Sequence, residues 1–252
     1  MASVIPVRSM PSDKSELVTQ ILFGETFTLL DKRGSNWICI KCSWDDYVGW
    51  VDEKLITYID EDAFNKYSGQ QPCALELSHP VSANDHSYPI LIGSSLPAYD
   101  GMSFRINKEK YIYTGQVVSD IEINRQADFI EKFALKYLHA PYLWGGRSPF
   151  GIDCSGLVQV VYKLAGIGLP RDAKDQVHIG EPIHFIETAR KGDLAYFENE
   201  EGRIIHVGIL LDNQKIIHAS GQVRIDNIDH YGIYQVNRRK YSHQLRMIRR
   251  VL

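Results

Sequence analysis

Cys154 is the residue of this chain best suited to nucleophilic chemistry. It lies in Ile152-Asp153-Cys154-Ser155-Gly156, directly before an apolar run with helical spacing that extends to Leu164. Unpaired backbone N–H groups and the dipole at the start of a helix favour an anion, so we expect the Cys154 thiol to ionise easily. The upstream pair Gly145-Gly146 indicates backbone that approaches a ligand closely. These features favour a nucleophile over the alternative, an inert buried cysteine.

A cysteine nucleophile needs a neighbouring imidazole, and two of the nine histidines stand out. His206 lies in an apolar strand pattern, His218 lies in the next one, and the short turn Asp212-Asn213-Gln214 joins the two patterns. Because both histidines are about five residues from the tip of this predicted hairpin, they can lie side by side on one face. His206 would then be the base and His218 the group that orients it. The alternative for each is a hydrogen-bonded structural histidine.

The other cysteines do not suggest a metal or redox site. Cys39 and Cys42 form a single CxxC, but the surrounding alternation predicts a strand, on which the two thiols point to opposite faces. Cys73 has no partner at the spacing of a zinc site. We therefore expect no metal and no cofactor.

Composition and charge exclude several classes of function. The 252 residues are 44% hydrophobic and 23% charged, which is typical of a globular protein. Residues 1–123 carry 10 Lys and Arg against 17 Asp and Glu, whereas residues 124–252 carry 18 against 14, so the formal charges are −7 and +4. This difference indicates distinct domains. Without a basic run interleaved with aromatic residues, we expect no nucleic-acid partner.

The start of the sequence lacks the features of a secretory leader, and no apolar stretch approaches the length of a membrane span. We therefore expect no membrane span and a cytoplasmic protein. The location would be periplasmic or extracellular if a leader had been removed.

The first half of the chain shows the pattern of small all-β domains. Residues 1–59 contain short alternating runs separated by turn signals, with the sequence Gly49-Trp50-Val51 in the last run. This pattern resembles bacterial SH3-like barrels. Residues 60–78 read as a linker with at most a short helix, and residues 79–123 return to strand signals, which we interpret as a second, more diverged SH3-like barrel.

From residue 124 the pattern changes to helices followed by strands. An amphipathic helix ends before Pro141, the Cys154 helix ends near Gly166, and a further short helix is predicted around residues 172–179. Four strand patterns follow, at residues 192–197, 204–211, 215–219 and 245–251.

The second half resembles the NlpC-type cysteine peptidases of bacterial cell-wall peptides. The resemblance rests on several short matches in the order of the family, which together cover nearly all of residues 124–240. They are Tyr142-xx-Gly145-Gly146, Asp153-Cys154-Ser155-Gly156, Leu169-Pro170-Arg171 with Gln176, Gly192-Asp193-Leu194, His206-Val207-Gly208-Ile209 and Ile217-His218-Ala219.

This resemblance implies an α+β chain with two small SH3-like β-barrels followed by a reduced papain-like cysteine peptidase domain at residues 124–252. It implies that Cys154 is the nucleophile, His206 the general base and His218 the third member. It further implies that Tyr142 and the Cys154 N–H polarise the scissile carbonyl, and that Asp153 and Ser155 line the substrate site.

The domain order resembles the subgroup that cleaves the γ-D-glutamyl bond to the diamino acid of murein peptides. In that subgroup the first barrel closes one end of the cleft. A free N-terminal amine on the substrate would need a carboxylate, for which the resemblance indicates Glu16, with Tyr47 beside it. The murein peptide is thus the expected partner. Two alternatives remain open: another Cys/His amidase or acyltransferase, or a peptidoglycan-binding adaptor with a vestigial catalytic domain.

Overall fold

The computed structural model describes residues 1–119 and 125–252. Contacts between residues divide the chain into two compact units, Met1–Ile123 with Trp144–Pro149, and Asn124–Leu143 with Phe150–Leu252. The predicted boundary at residues 123 and 124 lies outside the described residues. Across the described ranges, no helix combines the length and the apolar character that crossing a membrane requires.

The first unit begins with a five-stranded antiparallel sheet in the order β2-β1-β5-β4-β3. Its strands alternate between buried and exposed residues, because one face covers a small core around Val7, Ile38 and Val51. This sheet lies within the predicted first barrel. The strands are β1 (Val4–Arg8), β2 (Leu17–Leu22), β3 (Phe27–Arg33), β4 (Trp37–Cys42) and β5 (Val48–Asp52).

A second β region completes most of the first unit. Four of its strands form an antiparallel sheet in the order β8-β7-β10-β9, and β6 pairs with β11. Phe23, which follows β2, packs in the core of this region, so the two β regions share buried surface. The elements are α1 (Glu61–Tyr67), β6 (Cys73–Ala74), β7 (Ser78–Ala83), β8 (His86–Leu91), β9 (Ser103–Ile106), β10 (Glu109–Tyr113) and β11 (Val117–Val118).

The segment predicted as a linker, residues 60–78, is more ordered than expected. It contains the predicted short helix, α1, but its end forms β6, and Cys73 and Ala74 are buried there. Pairing with β11, more than forty residues away in the chain, stabilises this strand. A two-residue strand of this kind has no local sequence pattern, because its partner is distant.

The segment Trp144–Pro149 groups with the first unit, although it falls inside the predicted catalytic domain. It contains the short strand β12 (Arg147–Ser148). Arg147 is buried and binds both carboxylate oxygens of Glu25 at 2.8 and 2.9 Å, and its backbone N–H donates to Oε1 of Gln20 at 2.7 Å. Gly145 has a φ of +75°, and a Cβ there would lie 2.3 Å from the backbone oxygen of Leu17, so only glycine fits. These contacts hold residues 144–149 against the first sheet.

Among its described residues, the second unit contains three α-helices, close to where the sequence predicts them. They are α2 (Ala127–Lys136), α3 (Cys154–Leu164) and α4 (Ala173–Gln176). The α3 helix is buried along its whole length, including Gln159 and Lys163. It packs against α2 and against two central strands of the unit's sheet. A helix surrounded in this way is a rigid support for the residues at its first turn.

The sheet of the second unit has the order β14-β20-β15-β16-β17-β18-β19. Since β19 also pairs with β20, strands β15 to β20 form a closed ring, which is a six-stranded antiparallel barrel. The strands of the unit are β13 (Gly151–Ile152), β14 (Glu181–Ile183), β15 (Leu194–Glu198), β16 (Ile204–Leu211), β17 (Lys215–Ser220), β18 (Gln222–Asp229), β19 (Gly232–Gln235) and β20 (Lys240–Arg250).

The interior of this barrel is apolar in the middle and polar at one end. Its core cluster contains Ala195, Phe197, Leu210, Ile216, Ile228, Ile233 and Ile248. His206, His218 and Asp226 occur at alternate positions on the same strands as members of this cluster, so their side chains share the interior face. The polar end of the barrel therefore holds both histidines singled out in the sequence.

Candidate active site

Cys154 lies at the first position of α3, as the sequence predicts. Asp153 caps the helix in an extended conformation, and its Oδ1 accepts a hydrogen bond from the backbone N–H of Gly156 at 2.7 Å. The cap satisfies one of the N–H groups that the first turn leaves unpaired. The Cys154 thiol is only 7% exposed and accepts a hydrogen bond from the backbone N–H of Val207. Because Val207 follows His206 directly, the sulfur lies beside the strand that carries this histidine.

A buried arginine supports the start of α3. Arg171 contacts both carboxylate oxygens of Asp153, at 3.0 and 2.6 Å, and donates to Oγ of Ser155 at 2.9 Å. Gln176 donates to the backbone oxygens of Ser155 and Pro170, at 3.1 and 2.8 Å. The motif Leu169-Pro170-Arg171 with Gln176 thus holds the helix start in place.

Asp153 and Ser155 are both buried, and their side chains contact each other at 3.2 Å. Together with the Arg171 contacts, this geometry favours a role in positioning the first turn of α3. Their role as substrate-binding residues stays a prediction.

The hairpin brings His206 and His218 together, as the sequence predicts. Ile209 pairs with Ile217 in the β16–β17 register, the Gly208 backbone approaches His218 closely, and His206 precedes Gly208 by two residues on β16. Their closest ring nitrogens, Nε2 of His206 and Nδ1 of His218, are 2.8 Å apart. A Cβ at Gly208 would lie 3.0 Å from Cβ of His218 and 2.7 Å from the Ile216 side chain, so glycine leaves the space that His218 occupies.

The expectation that Cys154 ionises easily is wrong for the free protein. Burial raises the pKa of Cys154 to about 12, and the adjacent Asp153 carboxylate acts in the same direction. The hydrogen bond from Val207 and the charge of Arg171 lower this pKa, but by less than burial raises it. Desolvation therefore outweighs the stabilisation of an anion at the helix start. Cys154 therefore rests as a thiol.

His206 is held in the neutral form. Burial, followed by the repulsion of His218 and His243, lowers the pKa of His206 well below its usual 6.5. A neutral imidazole has one unprotonated ring nitrogen, which can accept a proton. The pair therefore consists of a thiol and a neutral base, which suits proton transfer during attack.

Tyr142 lies near Cys154. Its backbone N–H donates to the carbonyl oxygen of Gly221 at 3.0 Å, and it bridges to Ile152, two residues before Cys154. Burial, with the nearby charges of Cys154 and Asp153, raises the pKa of Tyr142 to about 12. Its hydroxyl therefore stays protonated at neutral pH and can donate a hydrogen bond.

Three polar residues near the histidines were missed by the sequence analysis. Asp226 accepts a hydrogen bond from His218, with 3.0 Å between Oδ2 and Nε2, and Arg224 contacts the same carboxylate. His243 stacks on His206 with 4.2 Å between ring centroids, and its Nδ1 is 2.9 Å from Oγ of Ser242. Burial, followed by the charge of His218, lowers the pKa of His243 to about 4. For Asp226, the sequence offers one signal, which is an acidic residue within an alternating pattern at residues 222–229. The sequence analysis assigned no strand to this stretch.

His206, His218 and His243 form a group that could hold a metal ion, since one nitrogen from each lies within 4.8 Å of the others. However, both ring nitrogens of His218 have partners, one in His206 and the other in Asp226. A metal bound by His218 would therefore break one of these contacts. The arrangement suits hydrogen-bonded histidines better than metal ligands.

Glu16 and Tyr47 lie in the first unit, whereas the residues described so far lie in the second. Glu16 is exposed and its Oε1 accepts a hydrogen bond from Nε1 of Trp144 at 2.6 Å. Tyr47 is half-buried and packs against the core of the first sheet. Their predicted role in amine binding stays a prediction.

The other cysteines differ from Cys154 in position. Cys39 and Cys42 lie on β4 and face opposite sides, with Cys42 in the core cluster and Cys39 half-buried, as the strand pattern predicts. Cys73 is buried on β6. Burial raises the pKa of both Cys39 and Cys42. None of the four cysteines, all of which lie in the described ranges, forms a disulfide.

Comparisons with known proteins agree with this architecture. Residues 139–243 match the NlpC/P60 family, and residues 7–56 match the bacterial dipeptidyl-peptidase Sh3 domain. A crystal structure of an NlpC/P60 family protein from Bacillus cereus aligns with a TM-score of 0.83 and 23% identity, over 99% of this chain and 97% of that chain. It has the same fold.

Among curated relatives, a γ-D-glutamyl-L-lysine dipeptidyl-peptidase of Bacillus cereus is 30% identical over 82% of this chain and 68% of its own length. Dipeptidyl-peptidase 6 of Lysinibacillus sphaericus is 25% identical over 87% of each chain. The second unit carries a cysteine at a helix start and a pair of hydrogen-bonded histidines, and the first half carries an SH3-like domain. The chain thus belongs to the NlpC/P60 family of cysteine peptidases.

Proposed function

We propose that this protein is a cysteine endopeptidase that cleaves the γ-D-glutamyl–L-diamino acid bond of murein peptides with a free N-terminal L-alanine. The observation that carries the proposal is the buried, hydrogen-bonded pair of His206 and His218, together with a buried Cys154 that accepts a hydrogen bond from Val207, the residue after His206. The relatives named for γ-D-glutamyl-L-lysine cleavage support the choice of bond. Turnover of cell-wall peptides would be the setting.

In this proposal Cys154 is the nucleophile and His206 the general base. As the sulfur forms its bond to the γ-carbonyl carbon of D-glutamate, the thiol proton passes to His206. The imidazolium then gives this proton to the departing amine of the diamino acid, which leaves a thioester on Cys154. Water, deprotonated by His206, hydrolyses the thioester. His218 orients His206 throughout, and the 2.8 Å contact between them supports this role.

The oxyanion formed during attack needs hydrogen-bond donors. The backbone N–H of Cys154 is at the start of α3, where such groups have no partner within the helix. The hydroxyl of Tyr142 stays protonated, since its pKa is raised to about 12. We assign both groups to the oxyanion, which is the electrostatic stabilisation that acyl transfer requires.

Recognition of the free amine is assigned to the first unit. Glu16 would pair with the ammonium group of L-alanine, and Tyr47 would line the same subsite. The hydrogen bond from Trp144, which follows Tyr142 by two residues in the chain, supports this role because it fixes the Glu16 carboxylate. We further propose that residues 79–123 form a second, diverged SH3-like barrel, supported by the four-stranded sheet there.

Digestion of defined tripeptides tests the reaction. L-Ala-γ-D-Glu-L-Lys and its diaminopimelate counterpart are incubated with the protein, and the products are identified by mass spectrometry. We expect L-Ala-γ-D-Glu and the free diamino acid. Cys154→Ala should release neither, whereas the matched variant Cys39→Ala should act as the wild-type protein does. Release of L-alanine alone would contradict the proposed bond.

Acetylated substrates test the amine subsite. N-acetyl-L-Ala-γ-D-Glu-L-Lys should be cleaved poorly by the wild-type protein, because it lacks the positive charge that Glu16 would bind. Glu16→Gln should raise KM for the free tripeptide, while Glu61→Gln, an exposed change on α1, should not. Equal cleavage of the free and acetylated forms would refute this subsite and leave the peptidase activity in place.

A further inference from the structure

Asp226 is a buried carboxylate that the proposed reaction does not use. It is 8% exposed and lies on β18, opposite Ile216, on the interior face of the barrel. Placing an ionised group among apolar side chains is costly unless that group is paired and hydrogen-bonded. Its neighbours therefore indicate what it does.

The carboxylate lies at the end of a row of hydrogen-bonded groups. Its Oδ2 is 3.0 Å from Nε2 of His218, and Nδ1 of His218 is 2.8 Å from Nε2 of His206. On the other side, Arg224 donates from Nη2 to Oδ1 at 2.8 Å, and its Nε lies 2.7 Å from Oδ2 without the alignment of a hydrogen bond. Burial opposes ionisation of Asp226, but the hydrogen bonds from His218 and Arg224 lower its pKa.

An ionised carboxylate only accepts hydrogen bonds, so Nε2 of His218 must carry a proton. In the neutral ring, Nδ1 of His218 then has a free lone pair, and the proton shared with His206 must reside on Nε2 of His206. Neutral His206 is left with its lone pair on Nδ1. When both rings are neutral, the position of this one carboxylate thus determines the tautomers of both.

We propose that Asp226 is a positioning residue for catalysis: through His218 it fixes the tautomer of His206, so that Nδ1 of His206 is the atom that accepts the thiol proton of Cys154. During attack the S–H bond breaks, the S–C bond forms and the proton moves to Nδ1. The positive charge that results on His206 is stabilised by the His218 lone pair and, behind it, by Asp226. This inference rests on the proposed function only for the identity of the base.

The variant Asp226→Asn tests this role with almost no change in shape. If the amide turned its oxygen to His218, its NH2 group would face Arg224, so donor would oppose donor. If it turned its NH2 group to His218, Nε2 of His218 would have to be the acceptor, and protons would shift to Nδ1 of both rings. Nδ1 of His206 could then not act as a base. We expect kcat to fall about 10²-fold with little change in KM.

Two further variants separate this role from a structural one. Asp229→Asn is the matched control, because Asp229 ends the same strand but bonds to Tyr241 and to the backbone of Tyr231. It should leave kcat unchanged. Arg224→Met combined with Asp226→Asn removes the opposing donor, so the amide oxygen can face His218, and part of the lost kcat should return.

The tautomers themselves can be read by 15N NMR. Long-range 1H–15N spectra of the full-length protein, labelled at histidine, should show protonated Nε2 and unprotonated Nδ1 for both His206 and His218 at neutral pH. In Asp226→Asn the pattern should reverse. A wild-type His218 with its proton on Nδ1 would overturn the inference, even if the variant failed to fold.

The two proposals fail in different ways. If the tautomers are as expected but no tripeptide is cleaved by the wild-type protein, the proposed function is wrong and the tautomer assignment stands. If tripeptides are cleaved and Asp226→Asn has the kcat of Asp229→Asn, the positioning role is wrong and the proposed function stands.

Discussion

Replacing Arg171 with methionine should cost a large part of the stability of the second unit. Arg171 is only 2% exposed and forms two contacts with the Asp153 carboxylate, of 2.6 and 3.0 Å. In Arg171→Met this buried carboxylate would lose its guanidinium partner, while it keeps the cap contact with Gly156. Breaking a buried ion pair from one side typically costs about 3–5 kcal/mol. Total stabilities are only about 5–15 kcal/mol, so the unfolding midpoint should fall markedly.

Removing the charge of Asp153 as well should recover much of the lost stability. In the double variant Arg171→Met, Asp153→Asn, neither position of this pair is charged, and asparagine still caps α3. Replacing both members of a buried pair with neutral groups is often nearly neutral for stability. The matched control is Arg203→Met, since Arg203 is 77% exposed and its ion pair with Glu201 should contribute about 1 kcal/mol or less.

Urea unfolding followed by far-UV circular dichroism measures these differences. The four tryptophans, Trp37, Trp44, Trp50 and Trp144, all belong to the first unit, so their fluorescence follows that unit separately. We expect Arg171→Met to shift the dichroism transition more than the fluorescence transition. A loss no larger than that of Arg203→Met, or a double variant no more stable than Arg171→Met, would refute the reasoning.

Three further predictions concern the reaction. His206→Ala should lower kcat for murein tripeptides by about 10²–10⁴-fold. The loss should exceed that of His218→Ala, because His206→Ala removes the base and His218→Ala removes only the group that orients it. Wild-type rates in His218→Ala would show that another residue orients the base. Gly208→Ala should lower kcat about tenfold, because the new Cβ would lie 3.0 Å from Cβ of His218 and displace the His218 ring. An unchanged kcat in steady-state kinetics would contradict this steric argument. Because burial raises the pKa of Cys154 to about 12, alkylation of this thiol by iodoacetamide should accelerate steadily as the pH rises above neutral. Mass spectrometry measures the alkylation rate. A rate independent of pH would instead indicate a preformed thiolate–imidazolium pair.

The pH dependence of stability follows from the same burial. The folded protein holds His206 neutral with a lowered pKa, and it lowers the pKa of His243 to about 4. The unfolded chain therefore binds more protons once the pH drops below the usual histidine pKa of 6.5. Stability should be complete above that pH and decrease as the pH falls toward 4, and His243→Gln should weaken the decrease. Urea midpoints that stay constant over this window would contradict the assigned burial.

The elements that carry Cys154, His206 and His218 could be predicted from sequence because their signals are local. The helix of Cys154 has apolar residues at helical spacing, and the two histidine strands are joined by a turn in which Asn213 and Gln214 adopt positive φ. Both features depend on residues close in the chain. The predicted contact between the histidines needs only this hairpin, because no distant strand has to bring its two strands together.

The rest of the site was missed for two reasons. Barrel closure depends on the pairing of β15 with β20, about fifty residues later in the chain. Asp226 is placed opposite Ile216 by the short β17–β18 hairpin, but it lies in an unusual strand pattern. In β18 Asp226 faces inward and Ile225 is 37% exposed, which is the reverse of an ordinary amphipathic strand. A pattern based on hydrophobicity places such a residue outside. The raised pKa of Cys154 was missed for a related reason, since burial depends on the packing of the whole unit.

Trapping the acyl-enzyme tests the central claim most directly. The protein is mixed with L-Ala-γ-D-Glu-L-Lys, quenched in acid within a turnover, and analysed by intact mass spectrometry and peptide mapping. We predict a thioester adduct with the mass of the L-Ala-γ-D-Glu acyl group on the peptide containing Cys154, and no adduct in Cys154→Ala. Release of the dipeptide without any adduct on Cys154, or an adduct on Cys39, Cys42 or Cys73, would contradict the account.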